Sequence, residues 1–221
     1  MRRVWAVVVA VLALSAGPAM AQGKVEISGL IGWTFSDGVT GSPYRAPDGN
    51  TYNGVDLKNS TSWGLMFGVM ANSYCEVGFM FNQQMSALRL EGMKTLELGD
   101  MAINSYHMYG AIIFRDPESK IRPYILGGAG ATSYGSVSYT TAAGAAASIG
   151  SAARFSTTWG AGVKFYPSPR LGFRLGMSWT PTWKRSAPGG WWCDPYWGCY
   201  TTSHAQYADQ IDFSGGVTIR F

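Results

Sequence analysis

The final twelve residues, Gln210-Ile211-Asp212-Phe213-Ser214-Gly215-Gly216-Val217-Thr218-Ile219-Arg220-Phe221, alternate between two kinds of side chain. Ile211, Phe213, Gly215, Val217, Ile219 and Phe221 fall on one face, and Gln210, Asp212, Ser214, Gly216, Thr218 and Arg220 on the other. A period of two defines a β-strand whose faces meet different surroundings. The β-branched and aromatic residues of the first face suit a pleated surface.

The same chemistry recurs upstream. Phe155, Thr157, Trp159, Ala161, Val163 and Phe165 oppose Arg154, Ser156, Thr158, Gly160, Gly162 and Lys164, while Leu171, Phe173, Leu175, Met177 and Trp179 oppose Arg170, Gly172, Arg174, Gly176 and Ser178. Near the start, Val25, Ile27, Gly29, Ile31, Trp33 and Phe35 alternate with Lys24, Glu26, Ser28, Gly32 and Thr34, with Leu30 the one break. Trp63, Leu65, Phe67 and Val69 share a face, as do Cys75, Val77, Phe79 and Phe81. Two further strands, about 101–114 and 121–134, complete a set of eight, and their facing is ambiguous from sequence.

Between these strands lie three tight connections rich in turn residues: Ala71-Asn72-Ser73, Asp116-Pro117-Glu118-Ser119 and Pro167-Ser168-Pro169. The other four, about 36–59, 84–98, 135–153 and 184–208, are long. Long and short alternate along the chain. An eight-stranded meander of this kind has its short turns at one end and its long loops at the other, the layout of outer-membrane barrels with periplasmic turns and extracellular loops.

A soluble eight-stranded barrel would turn the apolar face inward and carry Lys and Glu outside. Composition decides against it. Only 14% of the 221 residues are charged, against about 25% in soluble domains, and the polar face is mostly Gly, Ser and Thr. Such a face fits a narrow interior with room for a few long charged side chains: Glu26, Glu76, Arg154, Lys164, Arg174, Asp212 and Arg220. Strands of about 11–13 residues, rising ~3.3 Å each and tilted about 40°, project to roughly 28–33 Å, enough to cross a bilayer. Closure is obligatory there, because an open edge would leave backbone groups unpaired in hydrocarbon. Trp33, Phe35, Trp63, Phe81, Phe165, Trp179 and Trp183 lie near strand ends, where aromatic girdles form.

The N-terminus reads as a secretory signal: Arg2 and Arg3, an apolar run from Val4 to Leu14, and an Ala19-Met20-Ala21 cleavage site. The expected domains are therefore a signal peptide over 1–21 and a barrel over 22–221. Of 17 basic residues, removing two leaves 15 against 13 acidic ones. A net charge of +2 without a Lys/Arg cluster is a poor footprint for nucleic acid.

On these residues the sequence resembles the small eight-stranded bacterial outer-membrane β-barrels, the family that includes the OmpA transmembrane domain, OmpX and OmpW. The C-terminal strand carries most of the likeness. Its Phe213, Val217, Ile219 and terminal Phe221 resemble the signal read by the family's barrel assembly machinery. Arg122-Pro123-Tyr124-Ile125-Leu126-Gly127-Gly128-Ala129-Gly130 and Trp159-Gly160-Ala161-Gly162-Val163-Lys164-Phe165-Tyr166 are similar to the family's Pro-Tyr-x-x-x-Gly and Gly-x-Gly-x-Lys-Tyr segments. The resemblance implies outer-membrane lipids and the assembly machinery as partners; with the sequence ending on the last barrel strand, no peptidoglycan-binding domain of the OmpA type is expected to follow.

The last long loop holds Cys193 and Cys199, joined by an Asp-Pro and Gly turn. In an oxidising compartment these read as a disulfide. A metal site recruiting His204 and Asp194 lacks the tight cysteine spacing and the second ligand pair, so neither metal nor cofactor is expected. Around the cysteines, Trp191, Trp192, Tyr196, Trp197 and Tyr200 form a candidate contact for an extracellular ligand or surface; the other reading is mutual packing or interfacial seating. Cys75 is left over as a small hydrophobe. Some barrels of this architecture are lipid A-modifying enzymes, but neither His107 nor His204 lies in a His-x-Ser-Asn motif, and no Ser-His-carboxylate arrangement is readable. The expectation is a non-enzymatic barrel whose strands anchor, whose loops contact the outside and whose lumen is a salt-bridged plug. The alternative is an OmpW-like narrow channel for small or hydrophobic compounds.

Overall fold

The computed structural model describes residues 25–36, 39–45, 51–92, 96–140, 146–149, 151–183, 191–194, 198–201 and 207–221. The signal peptide expected over 1–21 lies outside them. Eight long strands dominate: β1 (Val25–Ser36), β2 (Ser60–Met70), β3 (Cys75–Gly92), β4 (Leu96–Ile113), β5 (Ile121–Tyr134), β6 (Ala152–Phe165), β7 (Leu171–Trp179) and β8 (Gln210–Arg220). Each pairs antiparallel with its chain neighbour. β8 then returns to β1, from Glu26 opposite Arg220 to Ser36 opposite Gln210, and closes the sheet. The backbone N–H of Phe221 donates to Val25 O at 2.9 Å, so pairing continues past the last strand residue.

Side-chain chemistry at the short turns explains why the strands reverse there. Asn72 Oδ1 accepts the backbone N–H groups of Tyr74 and Cys75, both at 2.8 Å, an Asx turn. Ser168 Oγ accepts the Leu171 N–H at 3.0 Å. Between β4 and β5, Arg115 takes φ 87°, and the Ser119 N–H closes on Asp116 O at 3.0 Å.

The outward face of the strands is apolar. Ile31 is 75% exposed and Leu175 62%, and Phe67, Phe79, Phe173, Phe213 and Ile219 share that surface. A belt of this extent in water would be an aggregation surface; around a closed barrel it is a lipid face. On β6 it runs from Phe155 to Phe165, both exposed, roughly 25 Å along the barrel axis at normal strand rise and tilt. Trp63 and Trp179 mark its long-loop edge, their indole N–H groups donating to Gln83 at 2.9 Å and Asp209 at 2.7 Å. An apolar ring with a wet N–H is the usual interfacial arrangement. The ambiguous pair resolves as Ser105, His107, Tyr109 and Ala111 inward on β4, and Arg122, Tyr124, Leu126 and Thr132 inward on β5.

The long connections correct the sequence reading. Two of them contain much more strand than expected. In 36–59, strands Val39–Arg45 and Thr51–Leu57 form a hairpin whose second arm pairs with β3. Most of 84–98 is strand: β3 and β4 run past the lipid belt and stay paired to Leu90 opposite Leu96. The reason is a second apolar cluster, Leu57, Leu88, Met101, Ile103 and Val137, which rewards continued pairing. Within 135–153, Val137–Thr140 pairs with Ala146–Ile149, and within 184–208, Trp191–Asp194 pairs with Gly198–Thr201.

Candidate functional site

The lumen is filled in three layers. At the short-turn end two buried carboxylates and three cations interlock. Lys164 Nζ lies 2.6 Å from Glu26 Oε2 and also bonds Glu76 Oε2, so one ammonium is shared by two carboxylates. Arg220 clasps Glu26 Oε1 through Nη2 at 2.8 Å and Nε at 3.1 Å. Arg174 Nη1 stands 3.5 Å from Glu76 Oε1. Glu26, Glu76, Lys164 and Arg174 are each at most 2% exposed. Buried charges are costly unless paired and hydrogen-bonded.

Tyrosines complete the bonding. Tyr109 donates to Glu76 Oε1 at 2.6 Å and Tyr166 to Glu26 Oε1 at 2.8 Å, while Arg174 Nε donates to the Tyr124 hydroxyl at 2.9 Å. The Arg174 guanidinium sits 4.3 Å from the Tyr124 ring centroid and that of Arg220 3.9 Å from Tyr166, at cation–π distance. Inward glycines supply the space for these rings. Tyr109 crosses Gly78 and Gly68: a Cβ at Gly78 would meet its ring at 2.9 Å and one at Gly68 its hydroxyl at 2.8 Å. Tyr124 likewise crosses Gly162 and Gly176, where a Cβ would meet its hydroxyl at 2.5 and 2.6 Å. Glycine is needed here because it is small.

Above the charges lies an apolar septum of Met66, Met80, Tyr124 and Leu126, against which Leu30 packs. Above that, short polar side chains take over. Thr34 donates to Asp212 Oδ2 at 2.8 Å, and Ser62 bonds the same oxygen. Gln210 Nε2 donates to Gln84 Oε1 at 3.1 Å. His107 Nε2 and Ser156 Oγ are 2.9 Å apart, and Thr132 continues the chain to Ser105. His107 Nδ1 has no hydrogen-bond partner among the described residues, so no carboxylate orients the imidazole as a Ser-His-carboxylate arrangement requires. Two small spaces among the described residues, one beside the septum and one in the hydroxyl layer, measure about 30 and 20 Å³, each close to the room one water needs.

Of the seven expected lumen residues, five form the ionic layer: Glu26, Glu76, Lys164, Arg174 and Arg220. Asp212 joins them as a lumen group, and Arg154 needs correction. Asp212 is buried in the lumen but belongs to the hydroxyl layer, with no cation within 4 Å among the described residues. Arg154 stands outside the network, exposed and bonded to Ala153 O at 3.3 Å. Its strand position has the right parity, opposite the buried Thr132 on β5, yet its side chain is exposed. Sequence reasoning missed Tyr109, Tyr124, Tyr166 and Arg122; the parity of Arg122 and Tyr124 on either side of Pro123 is the signal that could have placed them.

Phe213, Val217, Ile219 and Phe221 all face outward. Cys75 is half-buried with a free thiol. Cys193 sits directly opposite Cys199 in the backbone ladder of the last loop. The side chains of Cys193, Cys199, Trp191, Trp192 and Tyr200 lie outside the described residues, as do Tyr196 and Trp197 entirely.

No protein-family model and no curated protein sequence matches the chain. Solved structures do match. OprG, an outer membrane protein from Pseudomonas aeruginosa, superposes with a TM-score of 0.57 at 13% identity, over 90% of this chain and 96% of that one. Neisserial surface protein A gives a TM-score of 0.50 at 14% identity, over 90% and 97%. Likeness at such identity is likeness of fold. With its closed meander of eight strands, outward apolar belt and filled lumen, the chain has the fold of the small outer-membrane β-barrels.

Proposed function

We propose that the protein is a closed-lumen barrel of the outer membrane with a structural or surface-interaction role, its strands anchoring and its long loops contacting the outside. One observation carries this reading: among the described residues the ionic layer and the Met/Leu septum occupy the bore, with spaces of about 30 and 20 Å³ beside them. An eight-stranded barrel is about wide enough for its own side chains and little more. The paired extension beyond the belt, with its own apolar cluster, supports a loop end built to present a surface. On this reading Trp191, Trp192, Tyr196, Trp197 and Tyr200 contact that surface. A disulfide between Cys193 and Cys199, which face each other in register, fixes their hairpin.

The same geometry supports a non-enzymatic role, and the outward Phe213, Val217, Ile219 and Phe221 fit recognition by the barrel assembly machinery before insertion. Uptake by proteoliposomes tests the proposal. Liposomes holding purified protein should take up small hydrophilic and hydrophobic solutes no faster than empty ones; steady, selective uptake would replace this reading with that of a narrow conduit.

A further inference from the structure

Below the ionic layer the lumen opens at the short-turn end into a cavity of about 410 Å³, walled by Lys120, Arg122, Tyr166 and Arg220 and by prolines of two turns, Pro117 and Pro169. Arg122 is 1% exposed. Its Nη2 donates to the carbonyl of Ser73 at 3.0 Å, and its Nε is buried with no partner. Among the described residues it has no carboxylate within 4 Å, whereas every other cation of the lower lumen has one. Arg220, on the same wall, is held by Glu26 and stacked on Tyr166, yet its side chain keeps 18% exposure. The lower lumen thus sets four cations, Lys164, Arg174, Arg220 and Arg122, against two carboxylates, Glu26 and Glu76. At the rim Lys120 and Glu118 offset each other.

A buried guanidinium without a counter-ion is unfavourable, and its planar fork matches the oxygens of carboxylate and phosphate. We propose that this mouth binds a small oxyanion, a carboxylate or phosphate group on a periplasmic solute, with Arg122 as the principal ligand and Lys120 and Arg220 at its sides. A cavity of this volume falls within the range of small-molecule sites and admits a solute of about amino-acid size. Such a site stands apart from the closure of the bore, since its ligand would enter and leave by the same mouth.

Titration calorimetry on the purified full-length barrel in detergent tests this, with inorganic phosphate and acetate as separate probes. The expected result is saturable binding of at least one probe, weakened about tenfold by Arg122→Gln and several-fold by Lys120→Ala, consistent with loss of charge-assisted bonds. The tighter probe identifies the group recognised. Heat-modifiable migration verifies that each variant is folded. Should Arg122→Gln not fold, Lys120→Glu, an exposed turn substitution, takes its place: lost binding supports the site and unchanged binding overturns it. Failure of both probes to bind the folded wild-type protein, or equal binding to folded Arg122→Gln, also overturns it.

Discussion

The lower and upper parts of the lumen begin from the same inward pattern of small residues and end with different fillings. Below, Glu26, Glu76, Lys164 and Arg174 exclude water with full charges, and tyrosines laid over glycines take the remaining bonds. Above, Thr34, Ser62, Gln84, Thr132 and Ser156 satisfy one another with short neutral groups, and Asp212 is the one carboxylate they surround among the described residues. The two constructions differ in how they should fail. Charges in a packed bore stabilise only as a complete set, because a lone survivor is left buried and unpaired. Hydroxyl chains lose about one bond at a time.

The largest effect should therefore come from Lys164→Met, which leaves Glu26 and Glu76 without their shared cation. A loss of about 3–5 kcal/mol is expected, read by urea titration of heat-modifiable migration in lipid. Adding Glu76→Gln should restore part of it, since the double variant no longer strands that charge. Gly78→Val comes next. Its Cβ would meet the Phe67 carbonyl at 2.1 Å and the Tyr109 ring at 2.9 Å, so an overpacking cost of about 1–3 kcal/mol is expected in the same titration. In the upper layer Asp212→Asn keeps an acceptor for Thr34 and Ser62 and should cost about 1 kcal/mol or less. A cost equal to that of Lys164→Met would abolish the distinction between the layers.

The smallest effect lies outside the lipid, where the Tyr74 hydroxyl donates to Asp116 Oδ1 at 2.8 Å and ties the first short turn to the second. That hydrogen bond and the nearby negative charge raise the phenol above its ordinary value. A raised phenol favours the neutral folded form. Its contribution is present below the free-tyrosine range and lost as pH climbs through the raised value. Ultraviolet titrations of the wild type and of Asp116→Asn should differ by one tyrosine, which ionises at lower pH in the variant.

Much of this was legible in the sequence, for a physical reason. Period-two alternation with a charge-poor polar face determines strand, facing and lipid exposure together, so the residues from Gln210 to Phe221 alone indicate most of the barrel. Glu26, Glu76, Lys164, Arg174 and Arg220 were readable as lumen groups because a charge on a small-residue face has nowhere else to go. Facing on β4 was not readable, because Tyr109, Ala111 and Ile113 point inward and look no more polar than Tyr106, Met108 and Ile112, which point outward. Leu30, the one break in the first alternation, turns out to mark the apolar septum. The continuation of β3 and β4 past the belt depends on Leu57, Leu88, Met101, Ile103 and Val137 meeting from distant segments, and alternation within a segment carries no record of such a meeting.

The central claim is that the ionic layer and the apolar septum above it close the bore, and single-channel recording in planar bilayers tests it most directly. Wild-type protein should insert without steady conductance, whereas a folded variant emptied of both layers by Glu26→Ala, Glu76→Ala, Lys164→Ala, Met66→Ala, Met80→Ala and Leu126→Ala should show discrete openings. Steady ohmic conductance from the wild-type barrel, unchanged in that variant, would contradict the account.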